Sequence, residues 1–284
     1  MNAFLMLIII VGVSVQQVAK KAYNKKVKNG TFSFSAASAF IAVSVFIITS
    51  DGSFDFTAGI LKYSVLFAAS YSMASVSSLL AISTGSLSLT SLIIQYSLVI
   101  PTFYGLFVLN EPIKLSMVIG VILLLVSLVL INLAGKGEKH TINLKWGIFA
   151  LLAFVGNGAC STIQKVQQME FPGLYKSEFM IIAYIITVAI LMILAVFSEK
   201  KEIVPHLKKG AGWYIVCGLA NGIVNYLVLV MSLRMPASVM FPLISAGGIV
   251  MTALISVFVY KEKLSLQQKM GLMLGLMAIV VLNM

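Results

Sequence analysis

Charged residues are scarce in this sequence. Only 10% of its 284 residues are Asp, Glu, Lys or Arg, whereas 60% are hydrophobic and the mean hydropathy is +1.04. Soluble chains carry about 25% charged residues, so this chain has too few to cover a water-facing surface. A secreted disulfide scaffold is also excluded, because the only two cysteines, Cys160 and Cys217, both lie inside apolar runs. The composition is typical of a membrane protein.

Residues that build metal and catalytic sites are few as well. The two histidines, His140 and His206, lie in lysine-rich connections, and we expect both to be solvated. No buried nucleophile with a base, and no cluster of acids on facing segments, is recognisable in the sequence. A GxxxxGK[ST] nucleotide loop is also missing. We therefore predict no metal, no cofactor and no enzymatic activity.

Apolar runs of about twenty residues fill most of the chain, and such a run can cross a bilayer core of roughly 30 Å. The runs lack the alternation of barrel strands, so helices are the remaining spanning structure. The sequence predicts an all-α polytopic membrane protein with ten transmembrane helices, called spans 1 to 10 in chain order. They cover residues 3–19, 31–50, 58–81, 86–109, 115–134, 145–165, 177–198, 211–233, 236–259 and 264–283.

The net charge of +11 comes from lysines that are distributed unevenly. The connections after odd-numbered spans hold fifteen of the twenty Lys and Arg residues, and the other side holds five. Because basic residues near span ends stay in the cytoplasm, the odd connections are predicted to be cytoplasmic and both termini outside. This asymmetry accounts for the lysines of a multi-pass protein of the cytoplasmic membrane. It leaves a nucleic-acid partner without support.

The chain contains an internal repeat. An offset of 151 residues aligns 109–132 with 260–283, and it pairs Glu111 with Glu262 and Gly120 with Gly271. The sequence thus predicts one five-helix unit over 1–135, a cytoplasmic linker over 136–144 and a second five-helix unit over 145–284. An odd number of spans in each unit inverts the second copy in the membrane. Two inverted halves can expose a shared midplane site to each side in turn.

The junctions GLFVLNEPIKL and SVFVYKEKLSL resemble the EamA-type repeat of the drug/metabolite transporter superfamily. Its hallmark is a Glu after an apolar helix with a Gly nine residues later, as in Glu111 with Gly120 and Glu262 with Gly271. The resemblance covers nearly the whole chain. It implies ten helices in two inverted units that export or import small metabolites, with a cavity walled mainly by spans 1, 3, 4, 6, 8 and 9.

Polar side chains inside the spans are candidates for the lining of such a cavity, because they lack water partners and usually face a bundle interior. Amides in spans 1, 4, 6 and 8 and one tyrosine in span 3 stand out, and the only arginine, at the end of span 8, suits a carboxylate or phosphate. Interhelical hydrogen bonding and snorkelling are the competing structural roles. The predicted substrate-binding residues are Gln17, Tyr71, Gln95, Asn157, Gln164, Asn221, Asn225 and Arg234.

The acidic residues all fall in connections or near span ends, so no carboxylate is expected at the membrane midplane. Glu178, at the start of span 7, comes closest, and a helix-capping role is favoured for it. Glu111 and Glu262 are predicted to be structural and to stabilise the N-termini of spans 5 and 10. Pro101 in span 4 and Gly247 with Gly248 in span 9 are candidates for helix interruptions.

These features predict a secondary transporter that moves a small polar metabolite, such as an amino acid or related solute, by alternating access. Its partners are the small-molecule substrate and the lipid bilayer, and a homodimer is compatible with the architecture. A flippase for a lipid-linked substrate is the alternative, and it requires a cavity that opens laterally to the bilayer. An intramembrane enzyme or a passive scaffold is less favoured, because the first lacks its side chains and the second leaves the repeat unexplained.

Overall fold

Helices account for the regular structure of this chain. The computed structural model describes residues 2–27, 29–50, 55, 57–84, 87–113, 115–133, 144–258 and 265–282, and these contain no strand. A short 3-10 turn, Lys200–Glu202, precedes α9. The α-helices are α1 (Asn2–Lys26), α2 (Thr31–Thr49), α3 (Ala58–Thr84), α4 (Leu87–Tyr96), α5 (Val99–Phe107), α6 (Leu115–Leu133), α7 (Leu144–Glu170), α8 (Lys176–Ser198), α9 (Ile203–Ser232), α10 (Ala237–Phe258) and α11 (Leu266–Leu282).

The predicted spans overlap these helices in order. Spans 1 to 3 correspond to α1 to α3, span 4 to α4 and α5 together, and spans 5 to 10 to α6 to α11. Six of the described helices are long and apolar enough to cross a membrane, namely α1, α2, α3, α7, α8 and the segment of α9 with its preceding turn. Shorter apolar helical segments lie within the other spans. The chain is therefore a multi-pass membrane protein, and the number of ten crossings stays a prediction.

Span 4 is broken at Ser97 and Leu98, which form a turn between α4 and α5. Pro101 explains the position, because its ring lacks an N–H and would clash with the carbonyl of Ser97 in a continuous helix. The Ser97 carbonyl instead accepts a hydrogen bond from the Ile100 N–H at 3.0 Å. The expected interruption at Gly247 and Gly248 is absent, since α10 runs through both residues.

Pairs of helices from the two halves pack along each other. α3 packs on α7 and α1 packs on α9, while α2 lies against both α8 and α9. The remaining long pairings join α3 with α8 and α6 with α11. If each helix is replaced by its counterpart in the other predicted unit, every one of these helix pairs becomes either the same pair or another pair of this set. The interior is thus an interface between the halves rather than two separate cores.

The outer surface of the bundle is apolar. Large side chains point outward from several helices, with Phe4 66%, Ile48 81% and Phe107 71% exposed. The interior contains many buried hydroxyl and amide groups, among them Ser75, Gln95 and Asn221. An exposed apolar surface around a polar interior suits a bilayer, where only groups inside the protein can satisfy polar side chains.

Glycines allow the closest helix contacts, and Gly218 of α9 is the clearest case. A Cβ at Gly218 would lie 2.5 Å from the carbonyl oxygen of Ser38 and 2.7 Å from Cβ of Ile41, both on α2. We expect Gly218→Ala to lower the melting temperature in detergent by about 5 °C, since overpacking of this kind costs about 1–3 kcal/mol. Gly212→Ala on the same helix is the matched control, because a Cβ there meets nothing within 4 Å. Equal melting temperatures for the two variants would contradict this packing.

Candidate functional site

A polar cavity of about 140 Å³ lies between the two predicted units. Its walls come from α1, α3, α4 with the following turn, α7, α9 and α10, which are the helices that the EamA resemblance implies for spans 1, 3, 4, 6, 8 and 9. Seven of the eight predicted substrate-binding residues line it. They are Gln17, Tyr71, Gln95, Asn157, Gln164, Asn221 and Asn225.

A chain of amide hydrogen bonds crosses one wall of the cavity. Gln164 Nε2 of α7 donates to Asn225 Oδ1 of α9 at 2.8 Å, and Asn225 Nδ2 donates to Asn221 Oδ1 at 2.8 Å. Asn221 Nδ2 in turn donates to the hydroxyl oxygens of Tyr71 and Tyr184, each at 2.9 Å. The spacing of four residues between Asn221 and Asn225 places both on one face of α9. The network therefore joins α3, α7, α8 and α9.

Two glutamines of the lining, on α1 and α4, lie outside this network. Gln17 and Gln95 line the cavity, and their side chains make no hydrogen bond with the described residues. The main-chain carbonyl of Gln95 accepts a bond from Ser245 Oγ at 3.2 Å, which ties the end of α4 to α10. Next to the break, Asn157 Nδ2 donates to Ser97 Oγ at 2.6 Å. Pro101 thus determines the local geometry of this part of the lining.

Lys20 and Cys160 are two of the lining residues that were not predicted as substrate-binding from the sequence. Lys20 belongs to the lysine-rich end of span 1, yet its side chain is half-buried and lines the cavity. Cys160 of α7 also lines it and is otherwise buried. The helical spacing of Gln16, Gln17 and Lys20 on α1 was the available signal for the lysine. In the sequence, Lys20 was used only as evidence for which side of the membrane this end of span 1 faces.

Arg234 and Glu178 lie elsewhere. Arg234 follows the C-terminus of α9, is exposed and is not among the residues that line this cavity. Glu178 lies in the first turn of α8 and is also not part of the lining. No carboxylate occurs among the described residues that line the cavity. The formal charge of that lining is therefore +1, from Lys20.

Glu111 connects the two halves at one end of the bundle. Its carboxylate accepts hydrogen bonds from the N–H groups of Ala237 at 2.8 Å and Ser238 at 2.9 Å, so it caps the N-terminus of α10. Its Oε1 lies 3.6 Å from Nζ of Lys165, which is 4% exposed. Lys165 Nζ also donates to the main-chain carbonyls of Ser232 at 2.7 Å and Met235 at 3.2 Å. Three segments, at the ends of α5, α7 and α9, meet in this cluster.

The helix that Glu111 stabilises differs from the expected one. The sequence places Glu111 just before α6, but the carboxylate binds the N–H groups of α10 in the other half. Burial raises the pKa of Glu111, but the hydrogen bonds from Ser238 and Ala237, together with the Lys165 ammonium, lower it below its ordinary value overall. The N-terminus of a helix favours a negative charge for the same reason. Glu111 is thus ionised at neutral pH.

Glu199 makes a similar contact at the N-terminus of α2. It accepts hydrogen bonds from the N–H groups of Phe32 at 2.6 Å and Ser33 at 3.2 Å. His206 Nδ1 lies 3.3 Å from Glu199 Oε2, and both side chains are buried. The expectation of a solvated His206 was wrong, because α9 begins at Ile203 and carries this residue into the bundle. His140 lies outside the described residues.

The repeat glycines belong to α6 and α11, which pack against each other. Gly120 and Gly271 are both buried, and the Gly271 carbonyl accepts a hydrogen bond from Ser127 Oγ at 2.6 Å. Gly275 is close to the same serine, with a Cβ there 2.8 Å from Ser127 Oγ. Close helix packing is the role that these contacts support. Glu262, the repeat partner of Glu111, lies outside the described residues.

Comparisons with known proteins agree with this architecture. The model of the EamA-like transporter family matches residues 144–284, which confirms the resemblance carried by the repeat motifs. A solved crystal structure of a protein has a similar fold. The match covers 99% of this chain and 98% of the other chain, with 13% sequence identity and a TM-score of 0.79. At that identity the similarity shows the fold alone. No curated protein matches the chain.

Proposed function

Since this chain belongs to the EamA-like transporter family, we propose that it is a secondary transporter that moves a small polar metabolite across the cytoplasmic membrane. The substrate class is an amino acid or a related solute. The polar cavity, lined by amide and hydroxyl groups from both halves, is the observation that carries this proposal. Gln17, Tyr71, Gln95, Asn157, Gln164, Asn221 and Asn225 are the proposed substrate-binding residues.

The size and charge of the cavity support a small substrate. Its volume of about 140 Å³ is below the roughly 300–1,000 Å³ of pockets for drug-sized ligands. Amide side chains can both donate and accept hydrogen bonds, which suits polar solutes with several such groups. A lipophilic cation is a poor match, because the described lining has a lysine and no carboxylate. Lysine in the lining favours anionic or zwitterionic solutes instead.

The arrangement of the two predicted units supports alternating access. The proposed site lies between the two predicted five-helix units, and exchange of these units maps the set of helix pairs across it onto itself. Inverted units of this kind can rock about a shared site and open it to either side. We propose that the cluster of Glu111, Lys165 and the N-terminus of α10 closes one end. The lysine-rich end, which includes Lys20, is assigned to the cytoplasm from the lysine distribution.

Uptake into proteoliposomes tests this function. The purified protein is reconstituted, and uptake of labelled L-serine, L-leucine and L-phenylalanine is measured with and without an imposed pH gradient. We expect saturable uptake of at least one of them, with competition by the unlabelled compound and none in protein-free vesicles. The response to the gradient then decides whether protons are coupled to a carrier that lacks a carboxylate in the described lining.

A flippase for a lipid-linked substrate is the second candidate. A groove between α1 and α9 is open at the surface and lined by Leu7, Ile8, Val11, Gly12, Val15, Ala220 and Ile223, which suits an acyl chain. The polar cavity lies inside the bundle and is small for a lipid headgroup, so we favour the metabolite transporter. Translocation of a fluorescent phospholipid by vesicles that take up none of the three amino acids would reverse this preference.

A further inference from the structure

Lys20 occupies an unusual position for a lysine near a span end. Val13, Gln16, Gln17 and Lys20 of α1 all line the cavity, and their spacing places them on one helix face. At 1.5 Å per residue this face extends about 10 Å from Val13 to Lys20. Lys20 therefore forms one end of the cavity wall, beside the amides that we propose to bind substrate.

The ammonium group of Lys20 makes no hydrogen bond or ion pair with the described residues. Its contrast with Lys165 is informative, because that buried lysine is bound by one carboxylate and two main-chain carbonyls. A partly buried charge without a partner is costly, and a bound anion lowers the cost. The described lining contains no carboxylate that could supply the negative charge. An anionic ligand in the cavity can supply one.

We propose that Lys20 binds the carboxylate of the transported solute, and that the substrate is a small monocarboxylate such as a zwitterionic amino acid. This inference rests on the proposed transport function and specifies its substrate class. The carboxylate of such a solute, with charge −1, pairs with the single ammonium group of the described lining. A phosphate carries about −1.5 to −2 at neutral pH and leaves uncompensated negative charge in the cavity.

The amides complete the site for the rest of an amino acid. Gln17 and Gln95 line the cavity, and their side-chain amides make no hydrogen bond with the described residues. Such oxygens accept hydrogen bonds from an ammonium group without adding a charge of their own. The site thus holds the two ends of a zwitterion with a lysine at one end and neutral acceptors further along the cavity.

The competing role for Lys20 is structural. A lysine near the end of a span extends along apolar surface and places its ammonium among lipid headgroups. In that role the lysine affects membrane insertion and stability but is indifferent to the charge of the solute. Selectivity between an acid and its uncharged analogue is therefore the property that separates binding from snorkelling.

The test compares each amino acid with its carboxamide, which lacks the negative charge. Inhibition of labelled L-serine, L-leucine and L-phenylalanine uptake is measured with the unlabelled acid and with serinamide, leucinamide and phenylalaninamide. The wild type is expected to bind the acid at least about tenfold more tightly than the amide, as one charge-assisted hydrogen bond provides. Lys20→Gln is expected to reduce this ratio to near one, and Lys20→Arg to retain most of it.

The outcomes separate the inference from the proposed function. A Lys20→Gln protein that takes up the acid and keeps the full ratio overturns the inference and leaves a transporter in place. A wild-type ratio near one overturns it as well, so the test does not depend on how well the variant folds. If wild type takes up none of the three labels, the proposed function fails and the inference fails with it.

Discussion

The Asn225→Ala variant is expected to lose substrate transport by about tenfold or more and to fold nearly as well as the wild type. Asn225 connects Gln164 of α7 to Asn221 of α9, and it is half-buried at the cavity surface. Water in the cavity can replace its bonds to the protein, but not the fixed amide that a substrate would meet. A loss of two or more such bonds from the bound state corresponds to at least a tenfold change. Uptake in proteoliposomes and melting temperature in detergent are the two measurements.

Matched variants make this result interpretable. Gln164→Ala removes the other member of the bond between α7 and α9 and is expected to reduce transport in the same way. Asn24→Ala makes the same chemical change on α1 at a residue that is not part of the described lining, and wild-type transport is expected. If Asn225→Ala lowers stability and transport in equal proportion, the network serves packing rather than binding.

The Glu111→Ala variant is expected to show the largest loss of stability, because the change affects three parts of the molecule at once. It removes two hydrogen bonds at the N-terminus of α10 and leaves Lys165 buried without its carboxylate. Breaking a buried pair from one side costs about 3–5 kcal/mol. A lower yield of folded protein and a melting temperature reduced by about 10 °C are expected in detergent.

Lys165→Met is the paired control for Glu111. It removes the ammonium group but leaves both N–H donors on Glu111, so a smaller loss of stability is expected than for Glu111→Ala. A Lys165→Met protein that is less stable than Glu111→Ala would show that the ion pair, rather than the helix cap, dominates.

The low pKa of Glu111 adds a test by pH. A carboxyl whose folded pKa is depressed contributes stability above its unfolded pKa of about 4.3, and this contribution is lost as the pH falls through the folded value. Wild-type protein is therefore expected to lose this part of its stability below about pH 4.3. Glu111→Gln should lack that component of the acid transition. An unchanged acid transition in the variant would contradict the assigned role.

Hydropathy predicted the positions of the helices, and the polar residues inside the spans predicted seven of the residues that line the cavity. The reason is physical: the side-chain amide of a residue such as Asn221 or Gln164 inside a span needs hydrogen-bond partners, and these are present only in the interior of the bundle. Pro101 indicated a break, and Ser97 and Leu98 are where it occurs. Gly247 was also expected to interrupt its helix, but α10 continues through it. Its lack of a side chain instead allows close packing against Ile10 of α1.

Contacts between segments that are far apart in the chain could not be predicted from the sequence. Glu111 precedes α6 along the chain, and only the fold brings it to the N-terminus of α10. Lys165 and His206 are polar residues at the margins of apolar runs, where burial and exposure look the same in a linear pattern. Each is buried beside a carboxylate from a connection between helices, Glu111 for Lys165 and Glu199 for His206. Lys20 was assigned to topology for the same reason, although its side chain lines the cavity.

Counterflow measures the alternating-access claim most directly. Proteoliposomes are loaded with the unlabelled form of whichever amino acid the protein takes up, and entry of a trace of the labelled compound is followed. A carrier with one site shared between two sides should accumulate label transiently above its external concentration, and Asn225→Ala should lose this overshoot. Label that only equilibrates, at a rate unaffected by the internal compound, would indicate a pore and contradict the account.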